Sequence, residues 1–439
     1  MKRIKRRASA ALLLAWFMIA GTAVLMLRLV RHGDEWASYR SSISVYTKSG
    51  VLSKGTITDR NGVILASAEG GNLRYADDYS VRLASLHTVG DYSGHIGTAA
   101  LSAFANELTG YTAFSGTAGH GGTVALTLDA RLQAAAWEAL QGRTGAVLVM
   151  NYQTGEILCM VSSPSYDPYG EPDESIDGLY VNRAISAAYT PGSVFKIVTL
   201  TAAVEELEDA ETRTFRCSGT MNVPGGTVTC MKSGGHGKQK ITQAFAHSCN
   251  CAFAEMSLDL GGDVLADFAA QLGMTEAHSL NGIPVSAGRF DGVNDGSSYQ
   301  AWSGVGQHTD LVCPYSMMRL CAAIAAGGKI PEPTLLLGKG NGTARVMKES
   351  TAERVKEIML YAGKNQYGNP FPGLSAGGKT GTAEMDGATA NAWFTGFIDD
   401  EKLPLAFTVV LEHGGGGSGQ ALPICKTMIS LAKELYYDD

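Results

Sequence analysis

This 439-residue chain has no basic excess: 35 Lys and Arg stand against 42 Asp and Glu, a formal net charge of -7. Nucleic-acid binding leaves a basic electrostatic footprint, and none is present. Long apolar runs are scarce as well. One charge-free stretch, Ala8 to Leu27, reaches the roughly 20 residues that carry a helix across a bilayer; no second run matches it, so the sequence reads as single-pass. The Gly-rich segment Gly414 to Gly419 lacks the strand-loop-Lys pattern of a phosphate cradle and reads as a joint between strand and helix. The eight cysteines lack the spacing of a disulfide framework.

Four of those cysteines, Cys159, Cys313, Cys321 and Cys425, lie in apolar contexts and read as buried thiols. Cys217 and Cys230 differ, because both fall in a Gly-rich strand-and-turn stretch where a local disulfide is plausible on an export side that permits one. A zinc site with His236 and His247 is disfavoured, since CxxC spacing is missing.

What is present starts at the N-terminus, where Lys2, Arg3, Lys5, Arg6 and Arg7 precede the apolar run. The run exceeds the roughly 7–15 residues of a cleaved signal core, and it flows straight into Arg28. It therefore reads as a retained anchor. The positive flank predicts a cytoplasmic N-terminus, with everything after about residue 30 outside.

Beyond the anchor, Gly55 to Thr58 and Val63 to Leu65 flank Asp59-Arg60-Asn61-Gly62, a hairpin signal. The following stretch to Gly122 is polar and Gly-rich, with one helical segment near Ala99 to Leu108. Val124 to Leu128 predicts a strand, and Asp129 caps a helix from Ala130 to Leu140. Gly145 to Met150 and Glu156 to Val161 predict an antiparallel hairpin; Asn391 to Ile398 and Leu405 to Glu412 predict a second, followed by a helix from Ala421 to Tyr436. Strands at both ends of a helical middle predict an α+β domain with one sheet assembled from distant segments.

Three motifs carry chemistry. Ser193-Val194-Phe195-Lys196 follows Pro191-Gly192 and opens an apolar helix, which puts a hydroxyl and an amine on one face. A serine needs a base within reach, and a partly buried lysine can serve as one. The helix N-terminus also offers N–H groups to an oxyanion. Ser248-Cys249-Asn250 lies between two helical stretches and could offer a proton relay and an amide grip. Lys379-Thr380-Gly381-Thr382 reads as a strand on which Thr380 and Thr382 share a face, with Gly381 permitting close approach. Each motif has decoys: Ser430 to Lys433, Ser279 to Asn281, and Lys-Ser-Gly at Lys48 and Lys232. The ordered set has none.

The ordered set resembles that of penicillin-binding proteins and class A β-lactamases. With Lys54 to Ala66, Leu126 to Gln133, Thr154 to Leu158, Pro164 to Pro168, Gly306-Gln307 and Trp393 to Phe397, the chain is similar over nearly its whole length to class B penicillin-binding proteins. Its departures are a short pedestal, Lys54 where Arg is usual, Cys249 within the second motif, and His308-Thr309-Asp310 after Gly306-Gln307.

The resemblance implies a central antiparallel sheet flanked by helices plus an all-helical lobe, with residues 1–30 as tail and anchor, 31–122 as pedestal and 123–439 as transpeptidase domain. It implies that Lys196 deprotonates Ser193 for attack on a stem peptide ending in D-Ala-D-Ala, with the oxyanion between the N–H groups of Ser193 and Thr382. Ser248 would relay a proton, Asn250 would hold the donor amide, and Lys379, Thr380 and Thr382 would bind the carboxylate beside Gly381. It further implies β-lactam inhibition, no metal or organic cofactor, and a SEDS-type glycan polymerase as membrane partner. The alternatives are a D,D-carboxypeptidase or β-lactamase on the same fold, a β-lactam sensor, or a scaffold. A sensor would need an intracellular output, and only about seven residues precede the anchor.

Overall fold

A computed structural model describes residues 2–37, 52–112, 116–340, 342–385 and 388–437; the Lys48 decoy lies outside them. The apolar run lies on a helix Lys2–Ala37, and its candidate span Ile4–Gly33 is unburied by the rest of the chain. Continuous helical hydrogen bonding with an all-round apolar surface is what a bilayer selects.

The predicted Asn-Gly hairpin forms from strands Lys54–Thr58 and Ile64–Glu69. Asp59 closes it: its carboxylate accepts from the amides of Asn61 and Val63 at 2.8 Å each, and from that of Ala130 at 3.0 Å. One side chain thus ties the hairpin to the helix Ala130–Leu140. Strand Asn72–Tyr75 extends this sheet on one edge and Thr123–Ala125, parallel to the first strand, on the other. The strand predicted to reach Leu128 ends at Ala125; Leu126 still donates its amide to the Thr58 carbonyl at 2.8 Å and also bridges Leu336. The helical segment near Ala99 is broken at Phe104 into Ala100–Ala103 and Ala105–Thr109.

The central sheet has five antiparallel strands in the order Ala376–Met385, Ala388–Ile398, Leu405–Leu411, Gly145–Asn151, Ile157–Ser163. Both predicted hairpins are there, joined edge to edge by the pairing of Val409 with Val147. Alternate residues enter two separate cores. Ala146, Leu148 and Met150 pack on one face with the helix Pro314–Ala325, while Val147 and Val149 pack on the other with the helices Ala130–Leu140 and Gly417–Tyr436. A sheet covered on both faces favours apolar side chains at most positions, so its strands read as near-continuous runs without a period of two.

The helical lobe comprises chiefly Lys196–Glu206, Ile241–Ala246, Asn250–Leu260, Gly262–Gln271, Ser298–Ser303 and Glu349–Asn365. The C-terminal helix begins four residues earlier than expected, at Gly417. A Cβ there would lie 2.2 Å from the carbonyl of Trp393, so close packing on the sheet requires glycine in the first turn and hides the helix start. All eight cysteines are free thiols, so the local disulfide entertained for Cys217 and Cys230 is not formed; Cys159, Cys313, Cys321 and Cys425 are buried as expected.

Candidate active site

Ser193 sits in the 3-10 turn Gly192–Val194, which feeds directly into the helix Lys196–Glu206. The turn lies against the edge strand Ala376–Met385 because two glycines allow it. Gly192 has a φ of +54°, and a Cβ there would be 2.7 Å from the Thr382 carbonyl; a Cβ on Gly381 would be 2.8 Å from the Pro191 carbonyl. From the next strand Trp393 donates its indole N–H to the Thr190 carbonyl at 3.1 Å, fixing the approach to the turn.

Ser248 follows the helix Ile241–Ala246 in the left-handed region, φ +53°, where a residue with a Cβ is strained. That conformation turns the chain so that Asn250 can start the next helix and both side chains face Lys196. Lys196 Nζ lies 3.1 Å from Ser193 Oγ, 3.1 Å from Ser248 Oγ, 2.8 Å from the Ser248 carbonyl and 2.7 Å from Asn250 Oδ1. The two carbonyl-type oxygens can only accept. A neutral amine, with two N–H bonds and one lone pair, satisfies both and keeps its lone pair for a hydroxyl.

Lys379 reaches the same point from the edge strand, donating to Ser248 Oγ at 3.0 Å and to the Thr380 carbonyl at 2.9 Å. Both lysines are fully buried, at 0 % exposure, over the rings of Phe253 and Phe245. Burial penalises their charged forms. It lowers Lys196 to about 7 against the opposing pull of nearby thiols, and it holds Lys379 well below its ordinary value, with the charge of Lys196 adding to the effect.

All five residues expected to carry chemistry, Ser193, Lys196, Ser248, Asn250 and Lys379, therefore meet. Thr380, Gly381 and Thr382 line the adjoining strand edge. Asn250, expected to hold a substrate amide, is 8 % exposed; its Oδ1 accepts from Lys196 and its Nδ2 donates to the Thr229 carbonyl at 2.8 Å.

Sequence reasoning missed Tyr367, which lies in the loop after the helix Glu349–Asn365. Its hydroxyl accepts from the Thr380 amide at 3.0 Å and stands 3.0 Å from Thr380 Oγ1. Because the tyrosine proton can go to Oγ1, the threonine keeps its own proton for an anion. The Thr380 amide thus faces the open edge of the sheet, and by the two-residue period the Thr382 amide faces the same edge. No sequence signal marked Tyr367. The decoys are elsewhere: Ser430 is exposed on the C-terminal helix, Ser279 is exposed on a small hairpin, and Lys232 lies in an exposed turn.

Residues 145–430 match the family described as the penicillin binding protein transpeptidase domain. The chain belongs to that family. It is 29% identical over 365 residues to the peptidoglycan D,D-transpeptidase PbpA of Mycobacterium tuberculosis, covering 73% of this chain and 74% of that one. It is 30% identical over 308 residues to stage V sporulation protein D of Bacillus subtilis, covering 63% of this chain and 47% of that one. Among solved structures, penicillin-binding protein A of M. tuberculosis, as a ceftriaxone acyl-enzyme complex, superposes with a TM-score of 0.76 at 25% identity, over 86% of this chain and 98% of that one. The D,D-transpeptidase domain of a peptidoglycan glycosyltransferase from Eggerthella lenta gives 0.72 at 26% identity, over 87% and 98%.

Proposed function

We propose that this chain is a peptidoglycan D,D-transpeptidase that acylates Ser193 with a stem peptide ending in D-Ala-D-Ala and passes the acyl group to the amine of a neighbouring stem. The observation that carries this reading is the continuous chain of short contacts from Ser193 Oγ through Lys196 Nζ and Ser248 Oγ to Lys379 Nζ. Neutral Lys196 takes the Ser193 proton as Oγ bonds to the penultimate carbonyl carbon. The oxyanion is held by the Ser193 and Thr382 amides. The proton then passes through Ser248 to the departing D-alanine nitrogen as the peptide bond breaks. Lys379, Thr380 and Thr382, with Gly381 keeping the strand close, hold the terminal carboxylate. The incoming amine reverses the sequence and releases Ser193. A β-lactam acylates the same oxygen and stays.

The domain division follows the chain: residues 1–30 as tail and anchor, 31–122 as pedestal, 123–439 as catalytic domain, with the Asp59 contacts joining the last two. The apolar helix is the membrane anchor. The basic flank supports a cytoplasmic N-terminus in a bacterial cell membrane with the catalytic domain outside, and the anchor and pedestal suit a SEDS-type glycan polymerase as partner.

The test incubates the full chain in detergent with polymerised nascent peptidoglycan and assays cross-linked dimers. Dimers that disappear with penicillin and with Ser193→Ala are expected. Release of D-alanine without dimers would assign a carboxypeptidase instead, and penicillin label persisting on Ser193→Ala would refute the nucleophile.

A further inference from the structure

The objection to a zinc site, missing CxxC spacing, assumes that ligands come in close pairs along the chain. Folding supplies them from four separate places. Cys217 ends the strand Phe215–Cys217, Cys230 follows Gly226–Thr229, His236 precedes Gly237–Gln239, and Cys249 caps the helix Asn250–Leu260. Their three sulfurs and one ring nitrogen all lie within 4.8 Å of one another. Cys230 Sγ is 3.3 Å from His236 Nδ1 and 4.0 Å from Cys249 Sγ.

A tetrahedral zinc, with bonds of about 2.3 Å to sulfur and about 2.0 Å to nitrogen, sets its ligand atoms roughly 3.6–3.8 Å apart. A disulfide needs about 2.05 Å. The observed separations suit a shared ion, and soft thiolates with one imidazole select zinc. We propose that Cys217, Cys230, His236 and Cys249 bind one zinc ion in a closed tetrahedral site that braces the Ser248 loop.

Two independent features of the fold support it. The segment 215–239 consists of two two-stranded ribbons, Phe215–Cys217 with Gly237–Gln239 and Thr220–Val223 with Gly226–Thr229. Such ribbons are marginal alone and depend on what they pack against; the helices Asn250–Leu260 and Ser298–Ser303 cover part of them, and one ion on Cys217, Cys230 and His236 would tie both ribbons to the helix that Cys249 caps. His236 is also held in place: its ring stacks on His247 at 5.1 Å, and His247 Nδ1 meets Gln239 Oε1 at 3.1 Å.

Four protein donors leave no position for a reacting water, so the metal is structural. On binding, three thiols release their protons to solvent as three Zn–S bonds form, and the neutral imidazole supplies the fourth pair. The consequence for the active site is direct. Cys249 separates Ser248 from Asn250, and both neighbours bond Lys196. Fixing Cys249 fixes them.

The full chain in detergent, purified from zinc-replete cells, is expected to carry one zinc by metal analysis, and its cobalt-substituted form to show thiolate-to-metal charge transfer. Cys230→Ser and His236→Ala should each lose most of the metal. Cys425→Ser, remote in the other core, should keep it. Cys251 also touches Cys217 and Cys230, so Cys251→Ser tests the ligand set: metal lost there but kept in His236→Ala overturns the assignment of His236. Chelation should slow penicillin acylation by about tenfold or more, reversed by zinc. A chain that takes up neither zinc nor cobalt, or a mapped Cys217–Cys230 disulfide, sinks the site; bound zinc whose removal leaves acylation unchanged sinks the brace. The wild-type cobalt titration decides the matter even where a variant fails to fold, and metal content stays readable if the acyl-transfer reading fails.

Discussion

Acidification charges Lys196, and the rate of acylation should report it. Burial lowers this amine from 10.5 to about 7. At neutral pH about half of it is then the free base, against roughly 3 in 10,000 for an unshifted lysine, a gain of about a thousandfold in competent enzyme. Below about pH 7 the neutral fraction falls tenfold per unit, to roughly one tenth at pH 6 and one hundredth at pH 5. The second-order rate of labelling by fluorescent penicillin, measured on the full chain between about pH 5 and pH 9, should rise with unit slope and level off near pH 7. Loss of fold does not mimic this. For a lysine whose folded pKa is depressed, the unfolded chain binds the extra proton only between the folded and unfolded values, so this group's effect on stability rises with pH between about 7 and 10.5 and is flat below that window. A melting temperature followed in parallel separates the two. Label incorporation that is flat from about pH 5 to pH 8, or that inflects near 10, would refute a buried neutral base.

Four substitutions test the frame around it. Gly381→Ala places a methyl 2.8 Å from the Pro191 carbonyl and 3.1 Å from Val194 Cγ1; the Ser193 turn must shift, which should slow acylation by about 10- to 100-fold for a stability loss of only ~1–3 kcal/mol, and unchanged kinetics would deny the close packing. Asp59→Ala strands the amides of Asn61, Val63 and Ala130, so thermal denaturation should show a loss of about 2 kcal/mol or more; an unshifted melt would mean the latch is idle. Asp310 is fully buried, neither carboxylate oxygen has a partner among the described residues, and desolvation with repulsion from Asp291 raises its pKa well above 3.8. A raised acid loses stability as pH climbs from the unfolded value to the folded one, so the melting temperature of Asp310→Asn relative to wild type should improve with pH above about 4, and a constant difference would count against it. Ser248→Gly relieves a φ of +53° but removes the oxygen between Lys196 and Lys379; stability should hold or rise by ~1 kcal/mol while acylation collapses, and retained acylation would remove Ser248 from the relay.

Legibility in the sequence followed the range of the forces involved. The Asp129 cap and the Asn61-Gly62 turn are decided by neighbours within a few residues, and each appears as read. The two hairpins were legible as pairs because their strands are buried on both faces and are mostly apolar, with only a few small hydroxyls such as Thr395 and Thr408 among them. Positions whose reason lies in a distant segment were not legible. Gly417 opens a helix although glycine discourages one, because the Trp393 carbonyl leaves no room for a Cβ. Tyr367 looks like any loop tyrosine until the Thr380 amide is placed beside it. The spacing rule that speaks against zinc at His236 and His247 describes one kind of metal loop, and it carries no information on Cys217, Cys230, His236 and Cys249 meeting from four separate elements.

The active-site loop shows why these failures cluster where the chemistry is. Two lysines are stripped of water within hydrogen-bond reach of one hydroxyl, and the residue bearing that hydroxyl sits in a conformation its own Cβ opposes. Local preference argues against each of these features, so surrounding structure must hold them. Part of the hold is visible: Asn250 is gripped at both ends, by Lys196 and by the Thr229 carbonyl. That carbonyl belongs to the residue before Cys230, and Asn250 follows Cys249. The hydrogen bond that aims the base therefore runs between the immediate neighbours of two proposed zinc ligands. A rigid bond from each of those sulfurs to one ion would fix both ends of it, whereas thiols merely packed together would leave the pair free to part and Lys196 free to find water and its proton.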